Sequence, residues 1–242
     1  MMDDILTMIW KEWKDLLLPS SRSRRETGVT IVVLLAILGL VFRAGPMMMS
    51  TPQALWAPSV LVFLLMMAMV ADSFAGERER HTLETLLASR LSDLSILIGK
   101  IGGAVIAGWG LIVLLTILGF VGNLAHGDSG APISWKNVIL GLFFTLLLSM
   151  LSCCFGVLVS LRAATARQAT QTFGIGITVA VFAVTIGIRK LPVSWQASLM
   201  HSLAPDRIAH TEAIAAFVLI ALNVFLFAAA RLRFQRSRLS LD

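Results

Sequence analysis

The feature that most constrains this sequence is a series of apolar runs, each separated from the next by a polar segment. A helix needs about 20 apolar residues to cross a bilayer, because its backbone rises only about 1.5 Å per residue. Runs of this kind predict membrane-spanning helices, and the series predicts an all-α integral membrane protein with a single transmembrane domain over residues 1–242. We predict six transmembrane helices, at residues 28–42, 55–74, 98–121, 138–161, 172–188 and 213–230.

The amino-acid composition agrees with this class of protein. Hydrophobic residues make up 57% of the chain and charged residues only 14%, whereas a soluble domain has about 25% charged residues. A net charge of +6 is also typical of nucleic-acid-binding proteins, but here the basic residues flank apolar runs and do not form one face. We therefore predict the lipid bilayer as a partner and no nucleic acid.

The distribution of lysine and arginine predicts the orientation of the chain in the membrane. Of the 20 basic residues, 15 fall in the N-terminal segment, the segments after spans 2 and 4, and the C-terminal tail. Because cytoplasmic segments carry the excess of positive charge, both termini are predicted to be cytoplasmic. The predicted location is the cytoplasmic (inner) membrane of a prokaryote, with several passes.

An amphipathic segment precedes the first span. Charged residues between Asp3 and Asp15 interrupt residues 1–18, so this segment lacks the apolar core of a signal peptide. Its apolar residues fall on one helical face, which predicts an interfacial helix lying flat on the membrane. Ile9, Trp10 and Trp13 are predicted to lie at the membrane interface, because a tryptophan ring suits the headgroup level.

One long polar stretch, Asp72 to Lys100, lies between two apolar runs that are long enough to cross a bilayer. Its charged residues exclude it from the hydrocarbon. Its leucines recur at steps of three and four residues, and this spacing predicts a helix from about Glu77 to Leu94 with one apolar face. Periodicity leaves two alternatives open: a helix that docks on another protein, and a helix that rests on the lipid headgroups.

The same stretch resembles the signature of the ABC-2 family of transporter permeases. The matching elements are Glu77-Arg78-Glu79, Thr82-Leu83-Glu84, Leu86-Leu87, Leu91-Ser92 and Gly99-Lys100. Two positions depart from the family pattern, since His81 stands where the family usually has glycine and Arg90 where it usually has proline. The first departure weakens the expectation of a sharp backbone bend, and the second favours a longer helix.

The resemblance implies a function for this stretch. In that family the segment at residues 75–97 is a coupling helix, which docks into a cleft on a separate ATP-binding subunit. The residues that would bind this subunit are Glu77, Arg78, Arg80, Thr82, Leu83, Glu84, Leu86 and Leu87. The family also implies that residues 1–18 form an elbow helix, that a second permease copy or a similar permease is a partner, and that the ATP-binding subunit holds ATP and Mg.

Residues 189–210, between spans 5 and 6, have two interpretations. The segment is polar at both ends, and apolar residues at helix-like spacing lie between Pro192 and Pro205. By themselves these residues are compatible with an ordinary surface loop. The resemblance implies re-entrant helices that dip back into the outer leaflet.

Glycines are concentrated near the start of the third span, at Gly99, Gly102, Gly103, Gly108 and Gly110. Small residues let the backbones of neighbouring membrane helices come close to each other. We therefore predict that another helix packs tightly here, in preference to a flexible segment.

The sequence contains no recognisable catalytic, cofactor-binding or metal-binding motif. The phosphate-binding pattern G-x-x-x-x-G-K-[ST] is absent, so we predict that the chain is not itself an enzyme and binds no cofactor. No predicted span carries an ionisable residue at its midpoint, which argues against ion-coupled transport. With the resemblance, this pattern predicts the permease subunit of an ABC exporter for an amphipathic or lipid-like substrate. The alternative is a membrane anchor or assembly subunit that does no transport.

Overall fold

The computed structural model describes residues 2–17, 35–50, 66, 70, 72–82, 85–86, 88–126, 132–190, 192, 194 and 208–234. All regular secondary structure in this part of the chain is helical. The helices are α1 (Met2–Leu17), α2 (35–43), α3 (Gly45–Ser50), α4 (Asp93–Ala125), α5 (Trp135–Ser160), α6 (Ala166–Lys190) and α7 (Ile208–Arg233). Residues 72–92, here called the linker, lead into α4 and contain short helical turns.

The chain forms two compact units. The first contains Met1–Met66 and Arg90–Cys153, and the second contains Met67–Ser89 and Cys154–Asp242. The division falls inside α5, so most of that helix belongs to the first unit and its last turns to the second.

In the first unit, α1 lies along the beginning of α4. Met8 is buried and contacts Gly99, where any side chain would overlap with that of Met8. One turn further along α1, Glu12 Oε1 accepts a hydrogen bond from Lys100 Nζ at 3.0 Å. A Cβ atom on Gly103 would lie 3.2 Å from Glu12 Cβ, which is a tight contact. The predicted close packing is thus confirmed at Gly99 and Gly103.

Tight packing also explains one further glycine of α4, Gly108, but it does not explain the other two, Gly102 and Gly110. A side chain on Gly108 would overlap with Met66, which is 1% exposed. Gly102 makes only ordinary contact with Ile9, and Gly110 faces open space. Tight packing therefore accounts for three of the five glycines that the sequence singles out.

At its other end, α4 packs against α2 and α3. A Cβ atom on Gly122 would overlap with the backbone of Phe42, and one on Gly45 would overlap with the backbone of Gly119. Since backbone atoms cannot move aside as a flexible side chain can, these two positions require glycine. Nearby, the Ser134 N–H donates to the Met49 carbonyl at 3.2 Å and connects α3 to the start of α5.

The second unit contains the end of α5, the whole of α6 and α7, and the linker as far as Ser89. Phe155 of α5 contacts Phe173 of α6, with ring centroids 5.3 Å apart. Phe74 of the linker contacts Phe234, directly after α7, with ring centroids 5.2 Å apart. The linker and the C-terminal end of α7 therefore meet at one end of this unit.

Three described helices are long and apolar enough to cross a membrane, namely α4, α5 and residues His210–Arg233 of α7. They contain the predicted third and sixth spans, and the predicted fourth span except for its last residue, Leu161. The predicted fifth span lies within α6, and its crossing of the membrane stays a prediction. The chain is therefore an all-helical, multi-pass membrane protein.

Other predictions fall partly or wholly outside the described residues. Residues 35–42 of the predicted first span lie in α2, whereas 28–34 are not described. Of the predicted second span, only residues 66, 70 and 72–74 are described. Residues 189–190 belong to α6 and 208–210 to α7, and between them only Pro192 and Ser194 are described, so most of the segment predicted to hold re-entrant helices lies outside the described residues.

Candidate functional site

The described residues of the linker form short turns, and the predicted continuous helix from Glu77 to Leu94 is wrong. Asp72–Gly76 form a π-helical turn and Glu77–Glu79 one α-helical turn. Bends follow at residues 89–91, so Arg90 does not extend a helix as its departure from the family pattern favoured. Ser92 has an extended backbone and caps α4, because its side chain accepts a hydrogen bond from the Ser95 N–H at 3.1 Å.

A sharp turn at His81 ends the first helical part of the linker. His81 has a φ angle of 57°, in the left-handed region that favours glycine. The His81 N–H donates to the Arg78 carbonyl, and the Thr82 N–H donates to the Glu77 carbonyl at 2.9 Å. These two bonds form a Schellman motif. The bend that the family makes with glycine is therefore retained with histidine, contrary to the expectation from sequence.

The base of this turn is attached to the loop between α5 and α6. Arg78 donates through Nη1 to the Ala163 carbonyl at 2.7 Å and through Nη2 to the Leu161 carbonyl at 3.2 Å. Glu79 Oε2 accepts a hydrogen bond from the Ala166 N–H at 3.2 Å. The Ala75 N–H donates to Ser160 Oγ at 3.0 Å.

The signs of these charges match the helix ends that they contact. Leu161 and Ala163 follow the C-terminal end of α5, where carbonyl groups carry partial negative charge and a cation is stabilising. Ala166 begins α6, where N–H groups carry partial positive charge and an anion is stabilising. Arg78 and Glu79 therefore hold the end of one helix and the beginning of the next.

The predicted partner-binding residues fall into three groups. Glu77 is 6% exposed, and the Arg78 guanidinium is engaged within the chain. Arg80 and Thr82 are exposed, and Leu86 is half-buried. The side chains of Leu83, Glu84 and Leu87 lie outside the described residues.

Several exposed linker residues were not among the sequence candidates. They are His81, Thr85, Ala88, Arg90 and Ser92, together with Glu79, whose carboxylate holds the start of α6. The sequence contains no signal for the contacts of Arg78 and Glu79, because their partners are backbone groups that every residue carries.

The predicted interfacial residues of α1 have different environments. Trp10 is 72% exposed, as a residue in contact with lipid headgroups requires, whereas Ile9 is half-buried beside Gly102. The side chain of Trp13 lies outside the described residues. Among the residues that the structure describes, no group of three or more His, Cys, Asp or Glu side chains is placed to hold a metal ion.

The apolar helices and the anchored, partly exposed linker define a multi-pass membrane protein with a structured polar surface outside the lipid. The family model described as "ABC-2 type transporter" matches residues 3–209, which is most of the chain. The protein belongs to the ABC-2 type transporter family and is a permease component of an ABC transporter, not itself an ATPase. No curated protein matches it.

Proposed function

We propose that this chain is the membrane-spanning subunit of an ABC exporter and that a separate ATP-binding subunit drives it. The subunit would have six spans and cytoplasmic termini in the inner membrane of a prokaryote, and it would work with a second copy or a similar permease. ATP and Mg would be bound by the ATP-binding subunit, which docks on the linker. The substrate class that fits the apolar spans is amphipathic or lipid-like.

The single observation that carries this proposal is the construction of the linker. Its tip, at Arg80, His81 and Thr82, is exposed, while its base is attached by Arg78 and Glu79 to the loop between α5 and α6. A surface that transmits a movement from a partner subunit needs an accessible tip for binding and a base that is held rigidly to the helices that move. A loop resting on headgroups needs no such base.

The geometry of the base also supports a route for the movement. Closure of the ATP-binding subunits would push the linker tip. Because Arg78 holds the end of α5 and Glu79 the start of α6, the push would reach these two helices as well as the spans that flank the linker in sequence.

The prediction that several basic segments share one side of the membrane has support within the second unit. The linker, the α5–α6 loop and the end of α7 are three of the segments assigned to the cytoplasm by their positive charge. They lie together, because Arg78 contacts the loop and Phe74 contacts Phe234. Alternating helices that begin and end on the correct side of a membrane require this arrangement.

Docking on the linker is tested with a matched pair of alanine substitutions. Ala88 is exposed in the linker, and Ala125 is exposed at the far end of α4 from the linker. An arginine at position 88 adds bulk and charge to the proposed docking surface, whereas Ala125→Arg makes the same chemical change away from it. Each tagged permease is purified from its native membranes, and the P-loop protein bound to it is quantified by mass spectrometry.

We expect Ala88→Arg to lose the P-loop subunit while Ala125→Arg retains it, with equal amounts of folded permease. Retention by both variants would contradict docking on the linker. Transport is separated from anchoring by the ATPase activity of the purified complex. Stimulation by amphipathic compounds supports an exporter, and activity that no such compound changes supports the membrane anchor.

A further inference from the structure

The second unit contains a cavity of about 400 Å³ at the end where the linker lies. It is formed by the last turns of α5 and α7, the first turns of α6 and the loop between α5 and α6. The cavity is within the size range of small-molecule sites, about 300–1,000 Å³. No linker residue lines this cavity, and the proposed transport function does not require it.

The cavity has an apolar wall and a basic rim. Phe155, Leu158, Phe225 and Leu226 provide most of the wall. Arg162 and Arg233 line the same cavity and are both exposed. Neither of these two guanidinium groups has a hydrogen bond or an ion pair with another residue that the structure describes, in contrast to Arg78, which donates to two carbonyls.

Two guanidinium groups that line one cavity make it attractive to an anion. Guanidinium binds a phosphate group in two-pronged geometry, so phosphate is the anion that best fits this rim. Gln168 adds a donor, because its Oε1 accepts from the Ala164 N–H and, among the described residues, nothing accepts from its amide N–H groups.

The apolar wall shows what else the ligand must carry. Phe225 lines the cavity and is also 68% exposed on α7, a helix whose apolar stretch is only 11% buried. The wall is therefore continuous with the surface that faces lipid, and an acyl chain can enter from the side. A small soluble anion such as inorganic phosphate would leave the apolar wall uncovered.

We propose that this cavity binds one anionic phospholipid from the cytoplasmic leaflet. Its phosphate lies between Arg162 and Arg233, and one acyl chain lies along Phe155 and Phe225. Basic pockets between membrane helices on the cytoplasmic side are known sites for anionic headgroups. The proposal depends on the cavity and on a membrane location, and it holds whether or not the protein is an exporter.

The test uses charge-matched double variants of the full chain in lipid nanodiscs. Arg162→Gln with Arg233→Gln removes the rim. Arg167→Gln with Arg231→Gln removes the same charge from two exposed arginines that are close in sequence to the rim residues but do not line the cavity. The probe is phosphatidylglycerol titrated into phosphatidylcholine, and native mass spectrometry counts the phosphatidylglycerol molecules retained after release into detergent.

We expect the wild type and the Arg167/Arg231 variant to retain one phosphatidylglycerol and the rim variant to bind it at least 10-fold more weakly, as two basic contacts at a membrane surface imply. Ala229→Phe, which fills the cavity without changing charge, should also lose the lipid. Equal retention by both double variants would overturn the proposal. Equal retention of phosphatidylcholine and phosphatidylglycerol by the wild type would also overturn it. The same holds if inorganic phosphate or a second permease copy displaces phosphatidylglycerol from the cavity.

Discussion

Replacing Arg78 with methionine should loosen the linker from the α5–α6 loop without unfolding the protein. The substitution keeps the aliphatic part of the side chain and removes both hydrogen bonds, to Ala163 at 2.7 Å and to Leu161 at 3.2 Å. Hydrogen bonds to charged groups contribute about 1.5–3 kcal/mol each. Because the contacts are only partly buried, we take the lower end of that range, about 3 kcal/mol for the pair.

A change of about 3 kcal/mol raises the fraction of time that the contact is open by about 100-fold. Two backbone amides report on this opening, because the Ala75 N–H donates to Ser160 Oγ and the Ala166 N–H donates to Glu79. Hydrogen–deuterium exchange at Ala75 and Ala166 should therefore accelerate by about 100-fold in Arg78→Met. Arg78→Lys keeps the charge but not the two-pronged geometry, so its effect should be intermediate.

The same variant separates an internal role of Arg78 from a role in binding the partner. If Arg78 acts within the chain, Arg78→Met should still bind the ATP-binding subunit, and substrate should no longer stimulate its ATPase activity. Exchange at Ala75 and Ala166 within threefold of wild type would refute the reasoning from the structure. Loss of the ATP-binding subunit with unchanged exchange would assign Arg78 to the partner surface.

Three further substitutions test the packing of α4 and the linker turn. Gly122→Ala should lower the free energy of unfolding by about 1–3 kcal/mol because its methyl group meets the Phe42 backbone, whereas Gly110→Ala, which faces open space, should leave it unchanged or raise it. Lys100→Met should cost about 3 kcal/mol, because it leaves the Glu12 carboxylate without its partner, and adding Glu12→Met should recover most of this loss. His81→Gly should stabilise the turn by about 1 kcal/mol, because glycine adopts the left-handed region without strain.

Thermal unfolding in detergent, followed by tryptophan fluorescence, measures the α4 variants, and amide exchange at Thr82 measures the turn. Equal unfolding midpoints for Gly122→Ala and Gly110→Ala would disprove the close backbone contact. A double variant at Lys100 and Glu12 that is no more stable than Lys100→Met would show that the ion pair is not the source of the loss. Faster exchange at Thr82 in His81→Gly would contradict the Schellman geometry.

The membrane class and the helices α4, α5 and α7 were predictable because a long apolar run has one stable solution in lipid. A backbone without water must satisfy its own hydrogen bonds, so run length and position fix the helix within a few residues. The tight packing at Gly99 was predictable for a related reason, since only a residue without a side chain lets another segment approach so closely.

The structure of the linker was less predictable. Leucines at helical spacing indicated one helix, but local side-chain and backbone bonds at Ser92 and His81 divide it. Periodicity records which face is apolar and does not record where a cap interrupts the helix. The contacts of Arg78 were invisible for another reason, because backbone carbonyls are present in every sequence and only the fold selects two of them.

The length of α4 has a consequence for the membranes in which this protein can function. With 33 residues, the helix is about 50 Å long, whereas the hydrocarbon core is about 30 Å thick. Even at a tilt of about 40°, the upper end of the usual range, it extends about 38 Å along the membrane normal. At least one turn of α4 therefore lies outside the hydrocarbon at any ordinary tilt. Lys100 and Asn123 are 23 residues apart, which is about 35 Å along the helix axis. Both can therefore stay outside a hydrocarbon core about 30 Å thick only while the tilt is below about 30°, so the positions of these two polar residues limit the tilt of α4 and the bilayer thickness that it accepts.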